Sequence, residues 1–181
     1  MRKFGRWHGA VDPMSANSVL EAPKAHLRQP QSTADYDGVR ALFQEYASSL
    51  DVDLCFQNFE TELRQLPGEY ASPRGTLLVA VVGDTFAGCC ALRPLDSADY
   101  SNASEMKRLY VRPEFRGWGL GRMLVESTLD AARQSGYGCV LLDTLDDMES
   151  ARALYAELGF EEVPPFYYNP IPGAHYLKAE L

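Results

Sequence analysis

Two kinds of apolar spacing alternate along the chain, and the changeovers between them divide it into elements. In "TADYDGVRALFQEYASSL", Val39, Leu42, Phe43 and Tyr46 fall at i, i+3, i+4 and i+7, one face of a helix. Thr33 or Asp35 stands ahead of that face as the expected cap. "FQNFETELRQLPG" reads as a second helix, ended by Pro67 and Gly68. The period then changes. "TLLVAVVGDTFAGCCALRPL" holds two β-rich runs around Gly83-Asp84, residue types that tolerate the positive φ of a tight turn, and so predicts a hairpin. "SEMKRLYVR" predicts a further strand ending at Pro113. From Leu120 to about Ser135 the spacing is helical again, with Leu124, Leu129 and Ala132 turned inward and Gly136 closing the element. "GCVLLDTL" is short and continuously apolar, as in strands buried on both faces. "MESARALYAELGF" predicts a helix closed by Gly159. A short strand is expected at His26–Gln29, and a terminal one from about His175, after the proline- and aromatic-rich "EEVPPFYYNPIPG".

That order predicts a mixed α/β sheet in a single domain covering residues 25–181. Residues 1–24 mix Gly, Pro, Ser, Asn and Ala without apolar periodicity and are expected to form a flexible arm, in which Met14 offers an alternative start. A length of 181 residues, 46% apolar and 23% charged, suits one soluble globular domain. No apolar run approaches the roughly 20 residues a bilayer span needs. The basic first residues also lack the apolar segment of a secretory signal, so a cytoplasmic location is expected. The formal charge of −8 argues against a nucleic-acid surface and weakly favours a cationic substrate. Cys55, Cys89, Cys90 and Cys139 form no Cys-x-x-Cys pair. Neighbouring Cys89 and Cys90 point to opposite faces of a strand, so no metal site is expected and buried free thiols are.

The segment "RGWGLG", Arg116–Gly121, changes the picture from fold to chemistry. It sits between a predicted strand and a predicted helix, and Gly117, Gly119 and Gly121 recur at every second position. A helix start leaves backbone N–H groups unsatisfied and carries partial positive charge, and glycines let the backbone approach an anion closely. The loop is therefore a candidate pyrophosphate cradle, with Arg116 or Arg122 adding charge. A dinucleotide site would use G-x-G-x-x-G followed by an acidic residue ending the next strand, where Asp143 stands. The spacing here is G-x-G-x-G, and a predicted antiparallel hairpin lies upstream. No Walker lysine–Ser/Thr pair is present.

From "EMKRLYV" through "RPEFRGWGLG" to "ARALYAELGF", the chain resembles the GNAT superfamily of acetyl-CoA-dependent N-acyltransferases. The superfamily's signature Gln/Arg-x-x-Gly-x-Gly/Ala is met by Arg116, Gly119 and Gly121. The resemblance implies a single α/β domain with a mixed, mostly antiparallel sheet, helices on both faces, and a splayed strand pair holding the cofactor. It implies pantetheine along Leu109, Tyr110 and Val111, and pyrophosphate on the backbone of Arg116, Gly117, Trp118, Gly119, Leu120, Gly121 and Arg122. The implied activity is acetyl transfer from acetyl-CoA to a primary amine by direct attack, without a metal.

Within that resemblance Glu105 takes the place of a catalytic glutamate, accepting the amine's proton directly or through water. A reference pKa of about 4.3 makes it a weak base unless burial raises it. Tyr155 matches a tyrosine that protonates the departing thiolate. Its spacing with Ala151, Leu154 and Leu158 would equally place it in a core. Many relatives carry an asparagine seven residues earlier; Met148 stands there instead, leaving Asp146, Asp147 or Ser150 to replace its contact. Tyr46, Phe56, Phe59, Phe166, Tyr167, Tyr168, Asn169 and Tyr176 are the candidates for lining the acceptor pocket, and Arg93 for meeting a substrate carboxylate. The acceptor is a small-molecule amine or a protein amine, with no nucleic-acid or membrane partner and a homodimer left open. Two other functions compete: an acyl-CoA-binding sensor without transfer, and an NAD(P)-dependent oxidoreductase.

Overall fold

The structure, a computed structural model, describes residues 24–50, 58–96 and 99–181. Its elements follow the order β1 (Ala25–Arg28), α1 (Thr33–Ser49), α2 (Phe59–Gln65), β2 (Thr76–Val82), β3 (Thr85–Pro94), β4 (Ala103–Val111), α3 (Leu120–Gln134), β5 (Cys139–Leu145), α4 (Glu149–Glu157), β6 (Glu161–Glu162) and β7 (Ala174–Glu180). Apart from Lys24, the expected N-terminal arm lies outside the described residues, as do Cys55 and Phe56.

Helix α1 is capped by Ser32, not by Thr33 or Asp35. The Asp35 amide donates to Ser32 Oγ at 3.1 Å and the Ser32 amide donates back to the Asp35 carboxylate at 3.3 Å, a reciprocal box. Asp35 also accepts both arms of the Arg28 guanidinium, at 2.9 and 2.8 Å, which ties the helix start to β1. The cap therefore sits one residue earlier than the apolar spacing suggests, because Asp35 acts as the partner of the box.

The sheet runs β1-β2-β3-β4-β5-β7-β6. Every neighbouring pair is antiparallel except β4–β5, so the sheet is mixed and mostly antiparallel. One face packs under α3 and α4, burying Leu78, Leu92, Met106, Leu124, Val125 and Leu142. The other packs under α1 and α2, burying Val39, Leu42, Phe43, Leu77, Val79 and Ala91. Cys89 falls in the second layer and Cys90 in the first, as strand alternation requires. At Gly88 a Cβ would stand 2.5 Å from the Tyr110 carbonyl oxygen, so only glycine allows β3 this close to β4. Among the described residues, no helix is long and apolar enough to cross a membrane.

The centre of the sheet is open. β4 and β5 pair from Ala103↔Cys139 to Glu105↔Leu141 and no further, although both strands continue. A register shift between Cys89 and Ala91, with Arg108 at φ +59°, forms a bulge in β4 where the divergence begins.

Candidate active site

Beyond Glu105 the splayed strands leave a cleft of about 560 Å³. Leu109, Tyr110 and Val111 line one wall, and Met148, Ser150 and Leu154 of the α4 start line the other, with Arg116 and Gly121 at its end. Leu109, Tyr110 and Val111, which the resemblance implies would lie along a cofactor, all stand on this cleft. Met148 is the N-cap of α4 without a side-chain cap bond. Asp147 and Ser150 flank it on the cleft, whereas Asp146 is turned to His175 at 2.6 Å and Arg152 at 3.7 Å.

The glycine loop stands at the cleft's end. Gly119 is the N-cap of α3 in the left-handed region, φ +77°, and no side chain caps the helix. The first intrahelical donor is Met123, to the Gly119 carbonyl at 3.1 Å, leaving the amides of Leu120, Gly121 and Arg122 without intrahelical acceptors. Gly117 is also left-handed, φ +81°, and no atom within 4 Å would meet a Cβ at either glycine. A run of unpaired amides at a positive helix end, with open space above, fits a diphosphate. The two arginines differ. Arg116 donates to the Val111 carbonyl at 3.1 Å and lines the cleft. Arg122 is engaged by Glu157 and, at 3.6 Å, by Glu126. Leu120 is buried in the core and Trp118 is 52% exposed, so neither side chain reaches into the cradle from the core side.

Tyr155, on α4, is 4% exposed and packs on Phe160, so the core role allowed by its spacing is real. It also lines a recess of about 20 Å³ in the strand gap, with Tyr46, Lys107, Leu109, Asp143 and Met148. Burial pushes its hydroxyl well above the ordinary tyrosine range, with smaller contributions from Cys90, Tyr46 and Asp143, which keeps it a neutral donor.

Glu105 differs from the expectation of a pocket-facing base. It is 1% exposed; one oxygen accepts from Arg93 Nε at 2.7 Å and the other from Lys107 Nζ at 3.3 Å. Burial alone would raise its pKa, but Lys107 and Arg93 outweigh that and hold the carboxyl below its ordinary value. Arg93, expected either in solvent or on a substrate carboxylate, is held by Glu105 and by Glu69 at 2.6 Å. Arg108 forms a two-pronged bond with Glu62, at 2.9 and 2.6 Å, and lies over the Phe59 ring at 5.1 Å. This pair joins α2 to the β4 bulge. Sequence reasoning missed it, since the two residues are 46 positions apart and neither carries a motif.

The aromatic candidates separate. Tyr46 lies on both the cleft and the recess, with its hydroxyl pushed up to about 12 by burial. Phe166, Tyr167 and Tyr176 form a tilted cluster with ring centroids 5.3–5.6 Å apart. Asn169 donates to Asp143 at 3.1 Å. Phe59 is buried beneath α1, and Tyr168 is 83% exposed.

The open, mixed and mostly antiparallel sheet, split beside an uncapped glycine turn, has counterparts among known proteins. The Acetyltransferase (GNAT) family model matches residues 38–160, and the chain belongs to that family. It is 40% identical over 148 residues to an uncharacterized N-acetyltransferase of Schizosaccharomyces pombe, covering 81% of this chain and 89% of that one. A GNAT acetyltransferase from Staphylococcus aureus superposes with TM-score 0.70 at 16% identity, over 87% of this chain and 99% of that one. The PaiA N-acetyltransferase of Thermoplasma acidophilum, solved with coenzyme A, gives 0.66 at 14% identity over the same shares. The protein is thus an acyltransferase of the GNAT family. The competing dinucleotide reading does not fit the topology: among the described residues β1 to β4 form an antiparallel meander, and the one parallel pair is β4–β5.

Proposed function

We propose that the protein moves an acetyl group from acetyl-CoA to a primary amine by direct attack. The observation that carries this reading is the continuity of the uncapped Gly119–Arg122 turn, the cleft along Leu109–Val111, and the recess holding Tyr155. Acetyl-CoA would supply the thioester: the amine nitrogen bonds to its carbonyl carbon, the C–S bond breaks, and the thiolate leaves. The amides of Gly117 through Arg122 would hold the pyrophosphate, and the exposed edge of β4 the pantetheine. The Tyr155 hydroxyl, neutral and buried, would donate to the departing sulfur.

An amine of pKa near 10 must also lose protons, and here the geometry refines the sequence reading. Both Glu105 oxygens are engaged by cations, and a depressed pKa weakens a base. We assign it an electrostatic role beside the gap, so that any proton it takes arrives through water. A cytoplasmic site suits the buried free thiols of Cys89, Cys90 and Cys139.

The test is release of free CoA thiol from acetyl-CoA in the presence of primary amines, with Tyr155→Phe alongside. Amine-dependent release, lowered in the variant without loss of acetyl-CoA affinity, is expected. Release that is unaffected by Tyr155→Phe, or absent with every amine, would contradict the proposal.

A further inference from the structure

Around the recess, charge is almost completely matched. Lys107 and Arg93 share Glu105, Arg93 also reaches Glu69, and Arg108 is bound by Glu62. Of the charged groups, Lys107, Arg108 and Asp143 line the recess itself, and both cations already have a carboxylate partner, Glu105 and Glu62. Asp143 is the member left over. Among the described residues it enters no ion pair; the neutral amide of Asn169 donates to it at 3.1 Å, and the Tyr167 hydroxyl is a second, neutral hydrogen-bond partner. The Asn169 carbonyl oxygen accepts from the Ile171 amide at 2.9 Å, which orients the side chain so that its NH₂ faces the carboxylate. The Tyr167 hydroxyl lies beside the same group, 3.5 Å from the Asn169 nitrogen.

Position matters as much as charge. Along β5, Val140 and Leu142 face the α3–α4 core and Leu141 faces the opposite layer, so alternation turns Asp143 to the side opposite α3 and α4. Tyr155 approaches from the α3–α4 side. The two meet only because the β4–β5 ladder stops at Glu105↔Leu141, two residues before Asp143. Asp143 is also only partly buried, unlike Glu105. The recess of about 20 Å³ admits one water-sized group, which is also the size of an ammonium head. Tyr46 adds an aromatic wall, and tyrosine rings attract cations.

We propose that Asp143 is the binding residue for the acceptor's ammonium head, steadied by Asn169 and Tyr167, and that it selects cationic amines that need no carboxylate of their own. The identity of this ligand as the acceptor rests on the acetyl-transfer reading; the cation site does not. Asp143 would draw the ammonium into the gap from the sheet face opposite α3 and α4. An acceptor bearing a carboxylate beside its amine would bring a second negative charge against Asp143. Lys107 and Arg108 are each already bound by a carboxylate, Glu105 and Glu62, which reduces the positive charge left to offset it.

The experiment measures binding, separately from turnover. Calorimetric titrations of the CoA-loaded protein use butylamine, benzylamine, 1,4-diaminobutane and a short lysine peptide, with butanol, benzyl alcohol and glycine as matched controls. At least one amine should bind at least tenfold more tightly than its alcohol counterpart and than glycine. Asp143→Asn should remove that advantage with CoA affinity and melting temperature unchanged, and Asp143→Glu should restore part of it. Equal binding of amines and alcohols, or an advantage that survives Asp143→Asn, would overturn the proposal. So would a loss in Asp143→Asn accompanied by an equal loss of CoA affinity, which marks a structural role. Cation binding without acetyl transfer would instead defeat the acetyl-transfer reading and leave the site standing.

Discussion

β5 has two edges, and they are built to opposite ends. On the β7 side the ladder runs unbroken from Cys139↔Glu180 to Leu145↔Ala174. On the β4 side it stops at Glu105↔Leu141. The sealed edge satisfies its backbone groups within the sheet and gives nothing for a ligand to hold. The open edge leaves strand backbone and buried charge facing a cleft, and structure must be spent elsewhere to hold it apart. That work falls to ion pairs: Arg108–Glu62 braces the bulge, and Arg93–Glu105–Lys107 braces the last paired rung. Apolar packing suffices where the sheet is closed. Fixed charge is needed where it opens.

The comparison breaks most sharply if that charge is removed. Glu105→Ala leaves Lys107, only 5% exposed, without its carboxylate, and stripping one partner from a buried pair costs about 3–5 kcal/mol. Urea denaturation should show that loss, whereas Arg74→Ala at the solvent-exposed Arg74–Asp96 pair should leave the midpoint nearly unchanged. Next in size is Tyr155→Phe, which should lower kcat by about 100-fold or more, the contribution of a positioned acid, with acetyl-CoA affinity unchanged. Gly119→Ala follows. A non-glycine residue held at φ +77° costs about 1–3 kcal/mol, so acetyl-CoA binding should weaken roughly tenfold or more in a titration. Ser32→Ala removes the reciprocal cap far from the gap and should cost about 1 kcal/mol with no change in turnover.

The open edge also predicts a pH dependence. Glu105 and Glu62 both have folded pKa values below their ordinary ones, because neighbouring cations outweigh burial. Their stabilisation is fully present above about pH 4.3, the unfolded carboxylate value, and is lost as pH falls through the folded values. His175 behaves oppositely. Hydrogen bonds to Asp146 and Glu162 raise its pKa, so its contribution is complete below about pH 6.5 and fades as pH rises through the folded value. Melting temperatures across pH should show Glu105→Gln reducing the acid-side dependence, and His175→Asn lowering the melting temperature below about pH 6.5, with the difference shrinking as pH rises through the folded value.

How far the sequence carried this picture follows the same division. Elements governed by apolar spacing were legible: the hairpin about Gly83-Asp84, α3 closing at Gly136, and the doubly buried β5 all form where their patterns placed them. The glycine turn was legible too, since positive φ at Gly117 and Gly119 is a local demand that the residue type itself announces. Long-range charge was not. Nothing near Glu105 in the chain says that Arg93 and Lys107 will occupy both its oxygens, so its base role looked simpler than the structure makes it. Asp143 was visible only as the strand-ending acid that a dinucleotide site would use, and its position in the gap depended on where the β4 ladder stops. The tail aromatics divided for the same reason: Tyr167 faces Asp143 and Tyr168 faces solvent, although they are neighbours with one chemistry.

The central claim is that the open edge and its glycine turn together hold acetyl-CoA. Thermal unfolding at matched concentrations of acetyl-CoA, CoA, NAD and NADP tests it most directly. A ligand bound only by the folded state adds about 2.7 kcal/mol at 100 times its Kd. Stabilisation by acetyl-CoA and CoA, diminished in Gly119→Ala and absent with either dinucleotide, is the predicted result. Stabilisation by NAD or NADP without any shift from acetyl-CoA would contradict the account.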